Sequence, residues 1–563
     1  LFRLAVALLP AIVLLWQDNT MFAMPHNIDS WLYLGYFRHL AEYKVAYRAT
    51  YYGSRLSWIL PGWAVHSVLG PLAASYALHL AVHLTATLSL FEILRRAVTL
   101  RAAFFAAFVF SLSPQLNSAT GWDYTDGPGI AYMLLGIALL TGRPDARPRG
   151  LALAGAGAAI AAAVYTNLFC MAFTPAIAIY CCTLELAWKR GVMWRGIVRV
   201  ARWAGAGAAA LTGALCIVNH RLDGLWWFYE PSFRAAKELL GKENFWYHGL
   251  FGVAGLEPWL WYPAIALAFA VAEIVRSVRR LGDPRALLRV GVAVAYLAAL
   301  AAMCFTQFVR KQPVLGLSFY ADYILPFAFL VICFALWDAA ESLTTRQFAA
   351  TCAAAVAVNA VIWADWSGSF TPIWPVRQME VAIAGGVLLA AGWAMRSRRL
   401  AVPLLLAGFA LFTSELRFAS GMWPKDSEPN PRPRGPHEYR EVFERVIRMS
   451  DRIDQLRVGR KPLFWYDENE PNRSEYWAIN GMYMFVNNRI GGNLPKDSCG
   501  KEMEPESILV MLTTRPALLA EARDKLSTCW AAQGLRPVPA EPDSQWTYIA
   551  PYTMSLLRAE KVR

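Results

Sequence analysis

Apolar runs about as long as a bilayer is thick recur along most of this chain, separated by connections of two contrasting kinds. A span of about 20 apolar residues crosses a hydrocarbon core of roughly 30 Å. About thirteen such runs are present, near residues 1–17, 71–94, 99–114, 127–142, 150–165, 167–187, 201–219, 257–275, 289–307, 322–340, 347–364, 378–395 and 400–417. Lipid offers the backbone no hydrogen-bond partners, so runs of this kind commit the chain to helices. Of 563 residues, 56% are hydrophobic and only 17% charged, far from the balance of an ordinary soluble domain. The expected class is an α-helical polytopic membrane protein.

Arginines give the orientation, because Lys and Arg gather in cytoplasmic loops. Every second connection is short and basic: Arg95, Arg96 and Arg101; Arg143, Arg147 and Arg149; Lys189 to Arg199; Arg276 to Arg289; Arg346; Arg396 to Arg399. The alternate connections, around 18–56, 115–126, 220–256, 308–321 and 365–377, carry aromatics, prolines and most loop acids, and are read as outward-facing. The formal charge of +13 is then largely topological and calls for anionic lipid, not nucleic acid. The first run lacks an Ala-x-Ala cleavage site before Gln17-Asp18-Asn19, which favours a retained anchor over a signal peptide.

Beyond a membrane part at 1–420, the proline-rich stretch 421–436 reads as a stiff linker to a soluble segment at 437–563. There the pattern predicts an amphipathic helix over 437–456, strands at Leu463 to Tyr466, Ile508 to Leu512 and Trp546 to Ile549, and a helix over 516–531. This is a small α/β domain on the outer side. It carries no phosphate loop, HExxH or nucleophile elbow, so the chemistry is expected elsewhere. Cys499 and Cys529, its two cysteines, suit one disulfide in an oxidising compartment.

A carboxylate beside a span is costly unless it is paired, wet or used, which singles out Asp29 in the run Met24-Pro-His-Asn-Ile-Asp-Ser-Trp-Leu-Tyr33. After it, residues 31–44 and 51–61 read as two interfacial helices, the second bearing Arg55. A carboxylate and an arginine at the two mouths of a cavity under such helices suit an anionic lipid headgroup. The second outer loop holds Asp123 and Asp126, the latter before Gly-Pro, where capping of the next helix competes with a site role. Asp29, Asp123 and Asp126 have the chemistry to share a divalent cation, although their spacing does not demand one. Arg310 and Lys311 break the positive-inside pattern and call for an anion, with a lipid-borne phosphate the natural one. His79 and His83 lie four apart without a third ligand, so packing is the preferred reading. The runs Trp226 to Tyr229 and Phe245 to His248 read as interfacial anchors before sugar-stacking platforms.

An acid in a first outer loop of interfacial helices, an Arg leading into an apolar helix, an Asp before Gly-Pro128, and Tyr323-Ile-Leu-Pro326 opening a late span together resemble the GT-C glycosyltransferases. Closest in pattern are the protein O-mannosyltransferases and the lipid A aminoarabinose transferase group, over roughly residues 1–417. The resemblance implies a GT-C-like fold and an enzyme that moves a sugar from a polyprenyl-phosphate donor to an extracytoplasmic acceptor, a cell-envelope glycan, lipid or protein. It assigns Asp29 as the general base of an inverting single displacement. Donor or acceptor binding would fall to Asp126, Asp123, Arg55, Arg310, Lys311, Tyr323 and His26. No cofactor is required on this reading, a divalent cation being optional. The setting implied is the bacterial inner membrane, with the site and the C-terminal domain outside. The chain departs from the pattern in having Asp29-Ser30 instead of an Asp-Glu pair, no Pro-Pro-Leu after Arg55, and Asp322 before Tyr323. A polysaccharide polymerase or ligase, or a lipid-linked sugar transporter, are the alternatives; the transporter lacks the internal repeat and deep acids it would need.

Overall fold

The computed structural model describes residues 2–16, 18–23, 28–112, 117, 120, 121, 124–142, 147–188, 193–240, 261–315, 320, 322–353, 357, 387, 388, 391, 437–456, 462–466, 503–513, 516–547 and 551–562. Its membrane part consists of helices α1 (Phe2–Trp16), α2 (Ile28–Arg38), α3 (Leu40–Ala46), α4 (Leu56–Val68), α5 (Pro71–Ala97), α6 (Leu100–Leu112), α7 (Asp126–Thr141), α8 (Gly150–Thr166), α9 (Thr174–Ala187), α10 (Met193–Asp223), α11 (Glu230–Leu240), α12 (Trp261–Ser277), α13 (Pro284–Cys304), α14 (Leu325–Ala335) and α15 (Trp337–Ser342). Every expected span up to residue 340 falls on a helix. Four helical stretches have the length and apolarity to cross a bilayer, namely Pro71–Ala97, Leu168–Ala187, Trp194–Asp223 and Pro284–Val309, and shorter apolar helices pack among them. This is a multi-pass membrane protein. The expected spans at 378–395 and 400–417, and most of 347–364, lie outside the described residues.

Close packing here depends on small residues, because lipid supplies no hydrophobic force between helices and dispersion needs backbones to approach. Gly157 of α8 meets the backbone of Ala204, and Gly207 of α10 meets that of Ala154, so neither has room for a Cβ. α7 lies between α5 and α8, while α13 contacts α9, α12 and α14. This frame sets the amino end of α7 beside the connection that follows α1.

The first loop differs from the expectation of helices lying on the membrane surface. Ser30 to Phe37 are buried all round, so α2 is an internal element. Its aromatics are used against protein: Phe37 meets Trp58 of α4, and Tyr36 meets Tyr43 of α3, at ring separations of 5.4 and 5.1 Å. The hairpin between α2 and α3 is tied down by Lys44, whose ammonium donates to the Gly53 carbonyl at 2.8 Å and pairs with Asp223 at 3.1 Å. Both side chains are 2% exposed, and burial pulls the Lys44 pKa down against the pull of Asp223. Breaking such a pair leaves one buried charge and costs about 3–5 kcal/mol.

The C-terminal part is a mixed sheet between two helices. α16 (Glu438–Leu456) and α17 (Pro516–Ala531) occupy the positions expected. The strands are β1 (Leu463–Tyr466), β2 (Ile508–Thr513), β3 (Leu535–Pro539), β4 (Ser544–Thr547) and β5 (Pro551–Lys561). β1 and β2 are parallel; β5 is antiparallel to β2 on one edge and to β3 and β4 on the other. Phe464, Ile508, Val510, Met554 and Leu556 share a core with α16, whereas Leu463, Leu509, Met511, Leu557 and Ala559 pack with α17, the two-residue alternation of a sheet covered on both faces. β3 and the central β5 were not anticipated. Pro537 and Pro539 disguise the edge strand β3, and the Leu556-Leu-Arg-Ala-Glu-Lys561 run of β5 reads locally as helix. Cys529 is disulfide-bonded, while its expected partner Cys499 lies outside the described residues.

α16 shares a core with the connection that follows α1. Asp18 is buried and accepts from Tyr76 at 2.5 Å, His437 Nδ1 at 2.9 Å and Arg440 at 3.1 Å. Asn19 Oδ1 accepts from the Tyr439 amide at 2.9 Å. Phe443 of α16 sits 5.1 Å from the Phe22 ring and 6.1 Å from that of Trp31.

Candidate active site

Three connections between helices converge around Arg55. Asp29 lies in the first turn of α2, where the helix amides favour negative charge. Its Oδ1 accepts from the Tyr52 hydroxyl at 2.9 Å and its Oδ2 faces the Tyr124 hydroxyl at 3.5 Å. Tyr52 comes from a short 3-10 turn at Tyr52–Ser54, and Arg55 follows directly before α4. The Arg55 side chain is buried; its Nη1 donates to Tyr33 at 2.5 Å and to Thr125 at 3.2 Å, and its guanidinium stands 4.9 Å above the Tyr51 ring. The phenols flanking Asp29 are held neutral by burial, which pushes Tyr52 and Tyr124 well up, so both remain donors.

Asp29 itself is partly exposed and carries opposing influences. Desolvation raises its pKa above the usual 3.8; the Tyr52 hydrogen bond, the Arg55 charge and the Tyr124 hydrogen bond pull it back, and the net shift is upward. A carboxylate made more basic is better suited to taking a proton from a hydroxyl.

Asp126 spends its carboxylate on tertiary partners and not on the backbone amides of α7. Its Oδ1 accepts from Tyr323 at 2.8 Å and from Asn167 Nδ2 at 3.1 Å. Its Oδ2 is buried with no hydrogen-bond partner among the described residues. Tyr323 is itself held by ring packing on Phe173 and Phe169. Arg55 acts electrostatically on Asp29, Asp126 and Tyr320, so the two acids share one cation.

Asp29, Arg55, Asp126 and Tyr323 are therefore brought together. His26 and Asp123 lie outside the described residues, and with Asp123 the three-carboxylate cation set. Among the described residues no group of three or more His, Cys, Asp or Glu is placed to hold a metal ion. Arg310 and Lys311 are exposed beyond a π-helical turn at Phe305–Val309, with the Arg310 guanidinium 5.6 Å from the Phe305 ring. His83 faces Thr120 at 3.0 Å and His79 packs near Trp58, as expected of packing residues. Of the expected anchors, Trp226 stacks on His220 at 4.2 Å and is 61% exposed, whereas Tyr229 is buried and donates to the Val164 carbonyl. Phe245 to His248 lie outside the described residues.

Sequence reading missed Tyr33, Tyr52, Tyr124, Asn167 and Tyr320. A usable signal existed in the density of tyrosines around Arg55, with Tyr33, Tyr36, Tyr43, Tyr47, Tyr51 and Tyr52 within 25 residues of it. Asn167 left no such trace, because it caps Phe169 with Oδ1 while offering its amide to Asp126.

No protein-family model and no curated protein matches the chain. Solved structures resemble it in fold, among them the following. ArnT from Cupriavidus metallidurans bound to undecaprenyl phosphate is 13% identical, with a TM-score of 0.49, over 98% of this chain and 97% of that one. The same protein in the apo state is 15% identical with a TM-score of 0.47, over the same shares of both chains. The Archaeoglobus fulgidus oligosaccharyltransferase in the apo form is 12% identical with a TM-score of 0.41, over 91% of this chain and 69% of that one.

Proposed function

We propose that this protein is a membrane glycosyltransferase that moves a sugar from a polyprenyl-phosphate donor to a hydroxyl acceptor of the cell envelope, on the extracytoplasmic side of a bacterial inner membrane. One observation carries the reading: a basic carboxylate, Asp29, hydrogen-bonded by neutral tyrosines, shares the buried Arg55 with a second acid.

The acceptor hydroxyl gives its proton to an Asp29 oxygen as its own oxygen bonds to the anomeric carbon. The bond from that carbon to the phosphate oxygen breaks, and its electron pair leaves with the lipid phosphate. Arg55 faces the growing charge on that phosphate, with exposed Arg310 and Lys311 drawing the anionic headgroup in from the outer surface. Such a reaction needs alignment, a base and a cation on the leaving group, and no nucleotide-binding fold. A single displacement inverts the anomeric centre. Asp126, held by Tyr323 and Asn167, supports Arg55 and aims its second oxygen at a sugar hydroxyl. The chemistry described needs no metal; a cation held with Asp123 is the variant reading, which a chelator tests.

Purified protein is incubated with a panel of polyprenyl-phosphate sugars and envelope acceptors, and release of polyprenyl phosphate is followed by mass spectrometry. Release that depends on Asp29 supports the reading. No binding and no release from any donor in the panel sinks it.

A further inference from the structure

We propose that the basic end of the helix bundle, opposite the Asp29 site, holds a phospholipid through its anionic phosphate headgroup. A cavity of 450 Å³ opens there between the ends of α5, α9, α13 and α15, and its lining includes Arg96, Val98, Trp188, Arg285, Leu288 and Trp337. Arg96 Nη1 donates to the Ala138 carbonyl of α7 at 2.8 Å. Ala138 is twelve residues beyond Asp126 on that helix, about 18 Å along its axis at the rise of an α-helix. The cavity is thus separate from the catalytic cluster.

Its chemistry is one-sided. The two charged residues that line it are both arginines, and no acid lines it. Glu92 and Glu341 stand behind them, 3.1 Å from Arg96 and 3.5 Å from Arg285. Arg96 is engaged by Glu92 through Nε and Nη2 and by the Ala138 carbonyl through Nη1, with its side chain 24% exposed, so it supplies charge at the wall; the open donor is Arg285, 56% exposed and meeting Glu341 through Nη1 alone. The Arg285 guanidinium lies 5.1 Å above the Trp337 ring, which fixes its plane and leaves its edge for a phosphate. The remaining lining, with Val98, Leu288 and the two indoles, is apolar, so a ligand here must be ionic at one end and hydrocarbon at the other. Tryptophan prefers headgroup depth, and basic pockets between helices on the arginine-rich side are where anionic headgroups settle. An inorganic anion satisfies the arginines and leaves the apolar wall uncovered; a phosphatidylglycerol-like lipid satisfies both.

Full-length protein in detergent is examined by native mass spectrometry with phosphatidylglycerol and phosphatidylcholine of matched chains, and with inorganic phosphate as competitor. Phosphatidylglycerol adducts should exceed phosphatidylcholine adducts about tenfold and withstand millimolar phosphate. Arg285→Gln and Leu288→Trp should each cut the selective adduct at least fivefold, one by removing charge and the other by filling the cavity. Arg285 is more than half exposed, so its variant keeps the fold even where Leu288→Trp does not. Equal binding of the two lipids, an adduct unchanged in Arg285→Gln, or displacement by phosphate alone overturns the proposal.

Discussion

The Tyr52 hydroxyl donates to Asp29 Oδ1 across 2.9 Å, linking the first turn of α2 to the turn that delivers Arg55. This bond orients one carboxylate oxygen and leaves the second, 3.5 Å from Tyr124, for the proposed proton transfer. Asp29→Asn preserves shape and hydrogen bonding to Tyr52 but cannot take a proton. Sugar transfer should fall by roughly 10³-fold, in the range of losses for a positioned base, while donor affinity stays within about twofold. Single-turnover transfer and equilibrium donor binding, measured together, separate the two; full transfer by the variant removes Asp29 as base.

The same bond sets the pH profile. Asp29 works ionised, its pKa is raised above 3.8 by desolvation, and the Tyr52 hydrogen bond is the largest influence lowering it. Tyr52→Phe removes that influence, so the pKa rises further and the acid limb of kcat/KM moves to higher pH. An acid limb that stays in place, or moves down, contradicts the geometry.

Linkage gives Asp29 a cost to stability with a defined sign. A carboxyl whose folded pKa lies above its unfolded value folds best protonated, and the cost appears as pH rises through that interval. Asp29→Asn should therefore raise the melting temperature at neutral pH, and the gain should vanish below the unfolded value near 3.8. A gain of equal size at low pH would trace it to something other than ionisation.

The spans up to residue 340, α16 and α17 were legible because bilayer length and amphipathic period are local properties. Asp29, Arg55 and Asp126 were legible because charge beside lipid demands a reason. Their grouping was not: Asp126 is 197 residues from Tyr323, and only packing of α7 against its neighbours decides that the pair replaces a helix cap. The burial of α2 was hidden for a similar reason, since an amphipathic helix and an internal one carry nearly the same aromatics.

Arg55 offers a different test, because it is the buried cation shared by both acids. A charged hydrogen bond contributes about 1.5–3 kcal/mol, so Arg55→Gln should weaken binding of the lipid phosphate by roughly 10- to 100-fold. Arg55→Lys keeps the charge without the fork and should recover only part of that affinity. Isothermal titration with the sugar-free lipid phosphate reads this directly; unchanged affinity in both variants moves the phosphate to Arg310 and Lys311.

Asp18 tests whether α16 positions the base. It gathers Tyr76, His437 and Arg440, and Phe443 of α16 packs near Trp31, two residues after Asp29. Asp18→Ala leaves these donors without their acceptor and should cost about 1–3 kcal/mol. Local loosening should then appear as faster amide exchange over 438–456 and over 28–38, with α7 unaffected. Transfer should slow with little change in donor affinity, because misplacing a base costs rate before binding. Faster exchange confined to 438–456, with transfer intact, would show that α16 is fastened to the outer loop without steering Asp29.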